Sequence, residues 1–412
     1  MIPLTLEEIA RLAPGELETA DRADAVTGVK VDSRRIEPGD LFVALNAGVE
    51  FREDAFARGA AAALVPDDAF QALGAIGRAV RDRSRARVVG ITGSTGKTST
   101  KDILAALCAA SARTVAAEAS YNNEIGVPLT LCRLEEDTEI AVLELSMRGF
   151  GQIAELCEIA RPHIGVITNV GPAHLELVGD LDGVIRAKGE LVAALPAGGT
   201  AIVPQEFPVE RDDVEVVRLA VPDAHADGGR TVVGGVSFNF SARHQVANAA
   251  AALAALDALG LPRPASVEVD FSRWRGEEAA LPGEGLLIND AWNANPVSMR
   301  AALEYLAERA GDRRRVAILG DMAELGRTAA DYHREIGEAV ATFGVDELLA
   351  VGQLAAGYVD GARGVRARLV ANVHEALRVL DDVVQPGDCV LVKGSRAVGL
   401  EAVAEALAAV RA

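Results

Sequence analysis

The residues best equipped for chemistry in this 412-residue sequence form one short loop, Thr92-Gly93-Ser94-Thr95-Gly96-Lys97-Thr98. Glycines let backbone N–H groups close around phosphate oxygens. A helix starting at the loop adds the partial positive charge of its N-terminus. Lys97 can neutralise the β and γ phosphates of a nucleotide, and the Thr98 hydroxyl can bind the Mg²⁺ that bridges them. The strict Walker spacing asks for a glycine where this chain has Ile91, so the match is to the shorter G-x-x-G-K-T form. Gly-Lys-Thr alone is a weak signal. Its position gives it weight: the apolar run Val88-Val89-Gly90-Ile91 precedes it and a helical pattern over residues 101–107 follows. The expectation is an enzyme that uses ATP.

Two further groups of residues stand at strand ends, where open α/β sheets build their sites. Glu144 follows the apolar run 140–143 and offers an oxygen suited to Mg²⁺, or is a solvated strand-end acid. Lys393, Ser395 and Arg396 follow the last apolar run. By charge and position they suit a carboxylate, although a helix-capping serine with two surface cations has the same pattern. Asn293 and Asn295 precede Pro296, as in an ordinary helix-initiating turn.

Placing these residues requires alternating strands and helices. Short continuous apolar runs (88–91, 140–143, 164–167, then 286–288, 316–319, 348–351, 389–392) read as strands buried on both faces. Alternation with helical segments implies parallel sheets covered on both sides. The fold class expected is α/β with three domains. Residues 1–83 form a small α/β domain, 84–262 a central phosphate-loop domain, and 263–412 a C-terminal Rossmann-like domain. Residues 209–235, rich in Asp, Gly and Val, read as the least regular stretch, and residues 246–259 as a helix closing the central domain. The net charge of −19 argues against a sequence-independent grip on nucleic acid or anionic lipid. Cys108, Cys132, Cys157 and Cys389 lack metal-ligand spacing and read as small core residues. No signal peptide or membrane-spanning run is evident, so a cytoplasmic protein without membrane insertion is expected.

Several segments together resemble the Mur ligases, ATP-dependent amide ligases of peptidoglycan synthesis. They are the loop itself; Asp32-Ser33-Arg34 with Pro38-Gly39-Asp40-Leu41-Phe42-Val43-Ala44; Asn122-Asn123-Glu124-Ile125-Gly126-Val127-Pro128; Thr168-Asn169-Val170-Gly171-Pro172-Ala173-His174-Leu175-Glu176; and Ala187-Lys188-Gly189-Glu190. In the last third they are Asn293-Ala294-Asn295-Pro296, Leu319-Gly320-Asp321-Met322-Ala323-Glu324-Leu325-Gly326 and Lys393-Gly394-Ser395-Arg396. The resemblance implies an ATP- and Mg²⁺-dependent ligation of a UDP-N-acetylmuramoyl-tripeptide to D-alanyl-D-alanine through an acyl phosphate, in a monomer. It implies ATP contacts from Gly93, Ser94, Thr95, Gly96, Lys97, Thr98, Ser99, Asn248, Arg275, Asp290, Asn293 and Asn295. Metal roles fall to Thr98, Glu144, His174 and Lys188, with Lys188 carbamylated. Lys97, Lys188 and His174 become the catalytic group. Ser33, Arg34, Asn122, Asn123, Lys393, Ser395 and Arg396 become the substrate contacts. Three departures are visible: Arg243 replaces a glycine before His244, Trp292 replaces a tyrosine, and the Asp-Gly-His segment of the first domain is missing. A ligase for another carboxylate, such as a folate polyglutamate ligase, and a non-ligating phosphate-loop switch remain the alternatives.

Overall fold

The structure, a computed structural model, describes residues 1–21, 23–220 and 222–409. Its contacts divide the chain into two compact units. The first comprises Met1–Asn169, Arg186–Ser241 and Val246–Asp270; the second comprises Val170–Ile185, Ala242–Gln245 and Phe271–Ala412.

In the first unit, the apolar runs form a six-stranded, wholly parallel sheet. Its order is Glu215–Leu219, Thr200–Pro204, Ile164–Ile167, Arg87–Thr92, Ile140–Glu144, Thr114–Ala116. Arg87–Thr92 lies at the point where the chain stops adding strands on one side and begins on the other. Open sheets leave a crevice at such a point. The N-terminal residues form their own four-stranded sheet, in the order Gly15–Thr19, Ala62–Pro66, Asp40–Val43, Gly28–Lys30. Its helix Ala69–Arg83 fits closely over the central part: a side chain at Gly77 would meet the Pro128 backbone at 2.8 Å.

The stretch read as least regular contains strands. Ala224–Asp227 and Arg230–Val233 pair antiparallel across the turn Gly228-Gly229, beside Val236–Phe238. The two-residue Gly-Gly turn is a hairpin signal, since glycine supplies the positive φ that such turns need. The following helix spans Arg243–Ala258.

The second unit holds a sheet in the order Glu277–Leu281, Gly285–Asp290, Cys389–Lys393, Arg315–Gly320, Glu347–Val351, Arg366–Val370. Only its first pair is antiparallel. Strand residues alternate between two cores. Ile288, Ala317, Leu319, Leu348 and Leu391 fill one face, and Leu287, Val316, Ile318, Leu349 and Val390 fill the other. This double burial is why the runs are apolar at every position rather than every second one. The last strand returns between two earlier ones, so Lys393 comes into register beside Asp290, about 100 residues earlier in the chain.

All four cysteines are buried and free. Burial pushes the thiols of Cys108, Cys132 and Cys157 up to about 12 and that of Cys389 up to about 11, as core residues require. No helix among the described residues is long and apolar enough to cross a membrane.

Candidate active site

The phosphate loop connects the strand Arg87–Thr92 to the helix Lys97–Ala109. Gly96 is the helix N-cap, with φ 76°. A side chain there would be strained, and its Cβ would stand 2.2 Å from Asn248 Oδ1. A Cβ at Gly93 would stand 1.9 Å from Thr168 Oγ1. Both glycines are therefore required by close neighbours as well as by the turn.

The loop is held by residues to which the sequence assigned no role. Thr168 Oγ1 donates to Thr95 O (2.6 Å), and Asn169 Oδ1 accepts from Thr95 N (2.9 Å). Lys97 Nζ donates to Gly93 O (2.9 Å), arching the lysine back over the loop. Ser94, Thr98 and Ser99 are buried in the loop and the first helical turn.

Behind the loop lies a buried polar cluster. Thr98 Oγ1 donates to Glu144 Oε2 (2.9 Å), and Asn122 Nδ2 donates to Glu144 Oε1 (2.8 Å). Glu144 is 1% exposed, which excludes the solvated strand-end acid. Asn123 instead shapes its own turn, accepting from Gly126 N (3.0 Å). Among the described residues no three His, Cys, Asp or Glu side chains converge as a metal cage. A magnesium ion shared with phosphates needs only one or two protein oxygens. The Thr98 hydroxyl and the Glu144 carboxylate are oxygen donors already side by side, so they fit such an ion.

Lys188, on the helix Leu181–Ala193, is 2% exposed. Burial first, and the charge of Lys97 second, hold its amine well below the ordinary lysine value. That is the reverse of a solvated helix lysine. Asn248, on the helix Arg243–Ala258, is buried against the loop, where its Oδ1 lies 3.5 Å from Thr100 Oγ1.

His174 belongs by its contacts to the second unit. It sits in the left-handed region (φ 58°), and its Nδ1 contacts Glu324, itself at φ 62°. Glu176 N donates to Glu324 O (3.2 Å), docking the short loop on this segment. Glu324 lies within the quoted Gly-Asp-Met-Ala-Glu-Leu-Gly segment, which carried no assigned role.

In the second unit, Lys393 is buried and donates to Asp290 Oδ2 (2.5 Å) and Asn293 O (2.9 Å). Ser395 is buried, and its Oγ accepts from Ala323 N (2.9 Å). Asn295 is the N-cap of the helix Pro296–Ala310, forming a reciprocal capping box with Ser298. The ordinary turn reading of Asn295 is thus realised. The guanidinium carbon of Arg396 lies 4.5 Å from the Trp292 ring centroid, and that of Arg275 lies 5.8 Å from it.

In the N-terminal sheet region, Ser33 is buried, and its hydroxyl, ahead of Arg58, lowers the Asp54 carboxyl below its ordinary value. Arg34 is 81% exposed and pairs with Asp32 (2.7 Å). The hydrogen bond and charge of Arg34 hold the Asp32 carboxyl down to about 2. Arg34 lines an open cleft of ≈ 990 Å³ together with Lys30, Arg35, Arg113 and Arg133. Arg35 pairs with Glu118 (3.0 Å) and was not singled out by the sequence.

A phosphate loop at a sheet's switch point, backed by a buried hydroxyl–carboxylate pair and followed by a second Rossmann-like sheet, defines a nucleotide-binding α/β protein. Family comparison narrows this. Residues 91–256 match the Mur ligase middle domain, and residues 275–396 match the Mur ligase, glutamate ligase domain. The chain belongs to the Mur ligase family. The UDP-N-acetylmuramoyl-tripeptide–D-alanyl-D-alanine ligase of Escherichia coli is 34% identical over 99% of both chains. The ligase of the same name from Bacillus subtilis is 31% identical, also over 99% of both. A crystal structure of MurF from Acinetobacter baumannii superposes with a TM-score of 0.84 at 28% identity, over 99% of both chains. MurF ligase from Thermotoga maritima in complex with ADP superposes with a TM-score of 0.75 at 25% identity, over 93% of this chain and 97% of that one.

Proposed function

We propose that the protein is an ATP-dependent ligase that joins D-alanyl-D-alanine to a UDP-N-acetylmuramoyl-tripeptide in peptidoglycan precursor synthesis. The observation that carries this reading is the buried Thr98–Glu144 pair behind the loop, joined by half-buried Asn122, in a chain similar end to end to ligases of that name.

The tripeptide's terminal carboxylate attacks the γ-phosphorus of ATP, giving an acyl phosphate and ADP. The dipeptide amine then attacks the acyl carbon, loses a proton, and inorganic phosphate leaves. Two anions must meet in the first step, so most of the catalysis is positioning and charge compensation. Lys97 exchanges the Gly93 carbonyl for phosphate oxygens, and the N–H groups of residues 93–99 supply further donors. Magnesium would be held by the Thr98 hydroxyl and the Glu144 carboxylate and would offset phosphate charge; a metal-side role is assigned to His174 as well. Asn248 is assigned to adenine and Arg275 to phosphate. Asp290 is assigned to ribose hydroxyls, because a carboxylate bound once by Lys393 keeps acceptor capacity. Asn293 and Asn295 are assigned to the nucleotide-facing turn.

Lys188 is assigned as a carbamate. The reaction needs a neutral amine, which attacks carbon dioxide and releases a proton. The depressed Lys188 amine meets that need, and the product anion would face Lys97 rather than oppose it. Intact mass measured with and without bicarbonate tests this; an unmodified Lys188 in fully active enzyme rejects it. Ser33 and Arg34, with Arg35, are assigned to the uridine diphosphate end, Asn122 and Asn123 to the muramoyl peptide, and Lys393, Ser395 and Arg396 to the dipeptide carboxylate. The domain boundaries proposed are 1–83, 84–262 and 263–412, in a cytoplasmic monomer.

Phosphate release is the deciding assay. It is expected only when a UDP-muramoyl tripeptide and D-alanyl-D-alanine are both present with ATP. Release with ATP alone would identify a switch, and release with a folate and glutamate would identify the other ligase.

A further inference from the structure

The chain has two tryptophans, and they lie against each other. Trp274 and Trp292 are stacked, with ring centroids 5.4 Å apart and planes 10° from parallel. The Arg396 guanidinium carbon is within reach of both, 4.9 Å from the Trp274 centroid and 4.5 Å from that of Trp292. Arg273 lies 5.1 Å from the Trp274 centroid.

Trp274 holds this place against two penalties. Its backbone is in the left-handed region, at φ 61°, where a bulky side chain is a rare outlier. Its indole Nε1 is buried with no hydrogen-bond acceptor. Glycine would avoid the first penalty and phenylalanine the second. Backbone strain of this kind persists where the surroundings over-determine it, and it concentrates at functional sites. What the indole gains is the arginine: its face is the strongest aromatic partner for a guanidinium. Arg396 needs such a partner. Its side chain is 51% exposed and its ion pair to Glu401 is long, 3.6 Å. A long side chain held that loosely has much rotamer freedom to lose when it binds an anion.

We propose that Trp274 is a positioning residue for Arg396: with Trp292 it fixes the guanidinium in place before the dipeptide carboxylate arrives. This rests on the assignment of Arg396 to that carboxylate. Trp274 itself touches no reacting atom.

Steady-state kinetics of the full-length enzyme test it, with KM for D-alanyl-D-alanine, KM for ATP and kcat measured in parallel. Arg396→Ala tests the underlying assignment and is expected to raise the dipeptide KM most. Trp274→Gly removes the ring while relieving the backbone, and Trp274→Leu keeps apolar bulk without a π face. Each is expected to raise the dipeptide KM about 5- to 10-fold, the range of a partly desolvated cation–π contact, with kcat and the ATP KM within about twofold. Trp274→Phe is expected to restore most of the loss. If Arg396→Ala raises the dipeptide KM while both Trp274→Gly and Trp274→Leu leave it unchanged, the positioning role is overturned and the carboxylate assignment stands. If Arg396→Ala leaves the dipeptide KM unchanged, the assignment falls and the inference with it. Equal losses in kcat and both KM values for every Trp274 variant, phenylalanine included, would mean a purely structural ring and also overturn the proposal.

Discussion

The phosphate loop of the first unit and the strand-end cluster of the second hold their charges in different ways. The loop is one continuous segment, and its geometry is enforced by steric contact. Thr168 and Asn248 leave no room for a Cβ at Gly93 or Gly96, and buried Thr98 and half-buried Asn122 both donate to the buried Glu144 carboxylate. The cluster in the second unit is assembled from distant strand ends. Asp290 and Lys393 meet because the last strand inserts between two earlier ones, and Arg396 follows that strand. Its inner part is a buried ion pair and its outer part an exposed arginine on two indoles. The loop carries its phosphate-binding groups in one segment, although Thr168, Asn248 and Glu144 from elsewhere in its unit fix its shape. The second cluster has no such segment, and its charged groups come together only through strand register.

The largest effect should come from Lys97→Ala. Phosphate release in the presence of both substrates is expected to fall about 10²- to 10³-fold, as for loss of a principal charge-stabilising group, with the thermal melt unchanged. Near-normal turnover would remove the phosphate loop from the reaction and dissolve the comparison.

Asp290→Ala should act mainly on stability. It leaves Lys393, with a side chain 3% exposed, without its carboxylate in a buried environment. Denaturant unfolding is expected to show a loss of about 3 kcal/mol. A change below about 0.5 kcal/mol, as at an ordinary surface position, would mean that the ion pair does not hold the strand ends together.

The support beneath the second cluster should be pH-sensitive through His333. This fully buried ring accepts from Met322 N (3.0 Å) and contacts Ala329 O (2.6 Å), next to the Asp321 turn that meets Ser395. Burial holds its imidazole below the ordinary histidine value, against the Ala329 hydrogen bond and the Asp321 charge. The folded protein therefore binds fewer protons than the unfolded chain just below the ordinary value. The stability contribution is complete above about pH 6.5 and is lost as pH falls towards the depressed folded value. The slope is at most about 1.4 kcal/mol per pH unit from this one group. Urea titrations across that window should be flatter in His333→Gln than in the wild type. The residual slope is attributed to groups such as His163, which burial also lowers.

The smallest effect should come from Asn295→Ala. Loss of the cap is expected to cost about 1 kcal/mol, read by thermal melting. The ATP KM separates its two roles: unchanged if Asn295 only caps its helix, raised if it also faces the nucleotide.

Much of the plan could be read in residue order. The apolar runs at 88–91, 140–143 and 164–167 became buried parallel strands, because double burial leaves no alternation to misread. The motif segments carried the resemblance to the Mur ligases, and the family comparison bears it out. The strands of 209–235 were missed, because strands of four or five residues carry little periodicity to read.

By itself the sequence determined what local rules govern: a loop of glycines, a lysine and a threonine between a strand and a helix, and the sheet class that frames it. Only the tertiary structure decided which long-range partners complete the chemistry. It buried Lys188 and so depressed its amine, set Glu324 against His174, and laid Trp274 on Trp292 under Arg396. Those pairings join residues separated by up to 150 positions, more than a third of the chain. Burial, charge proximity and ring stacking depend on distance in space, and the order of residues does not contain that distance.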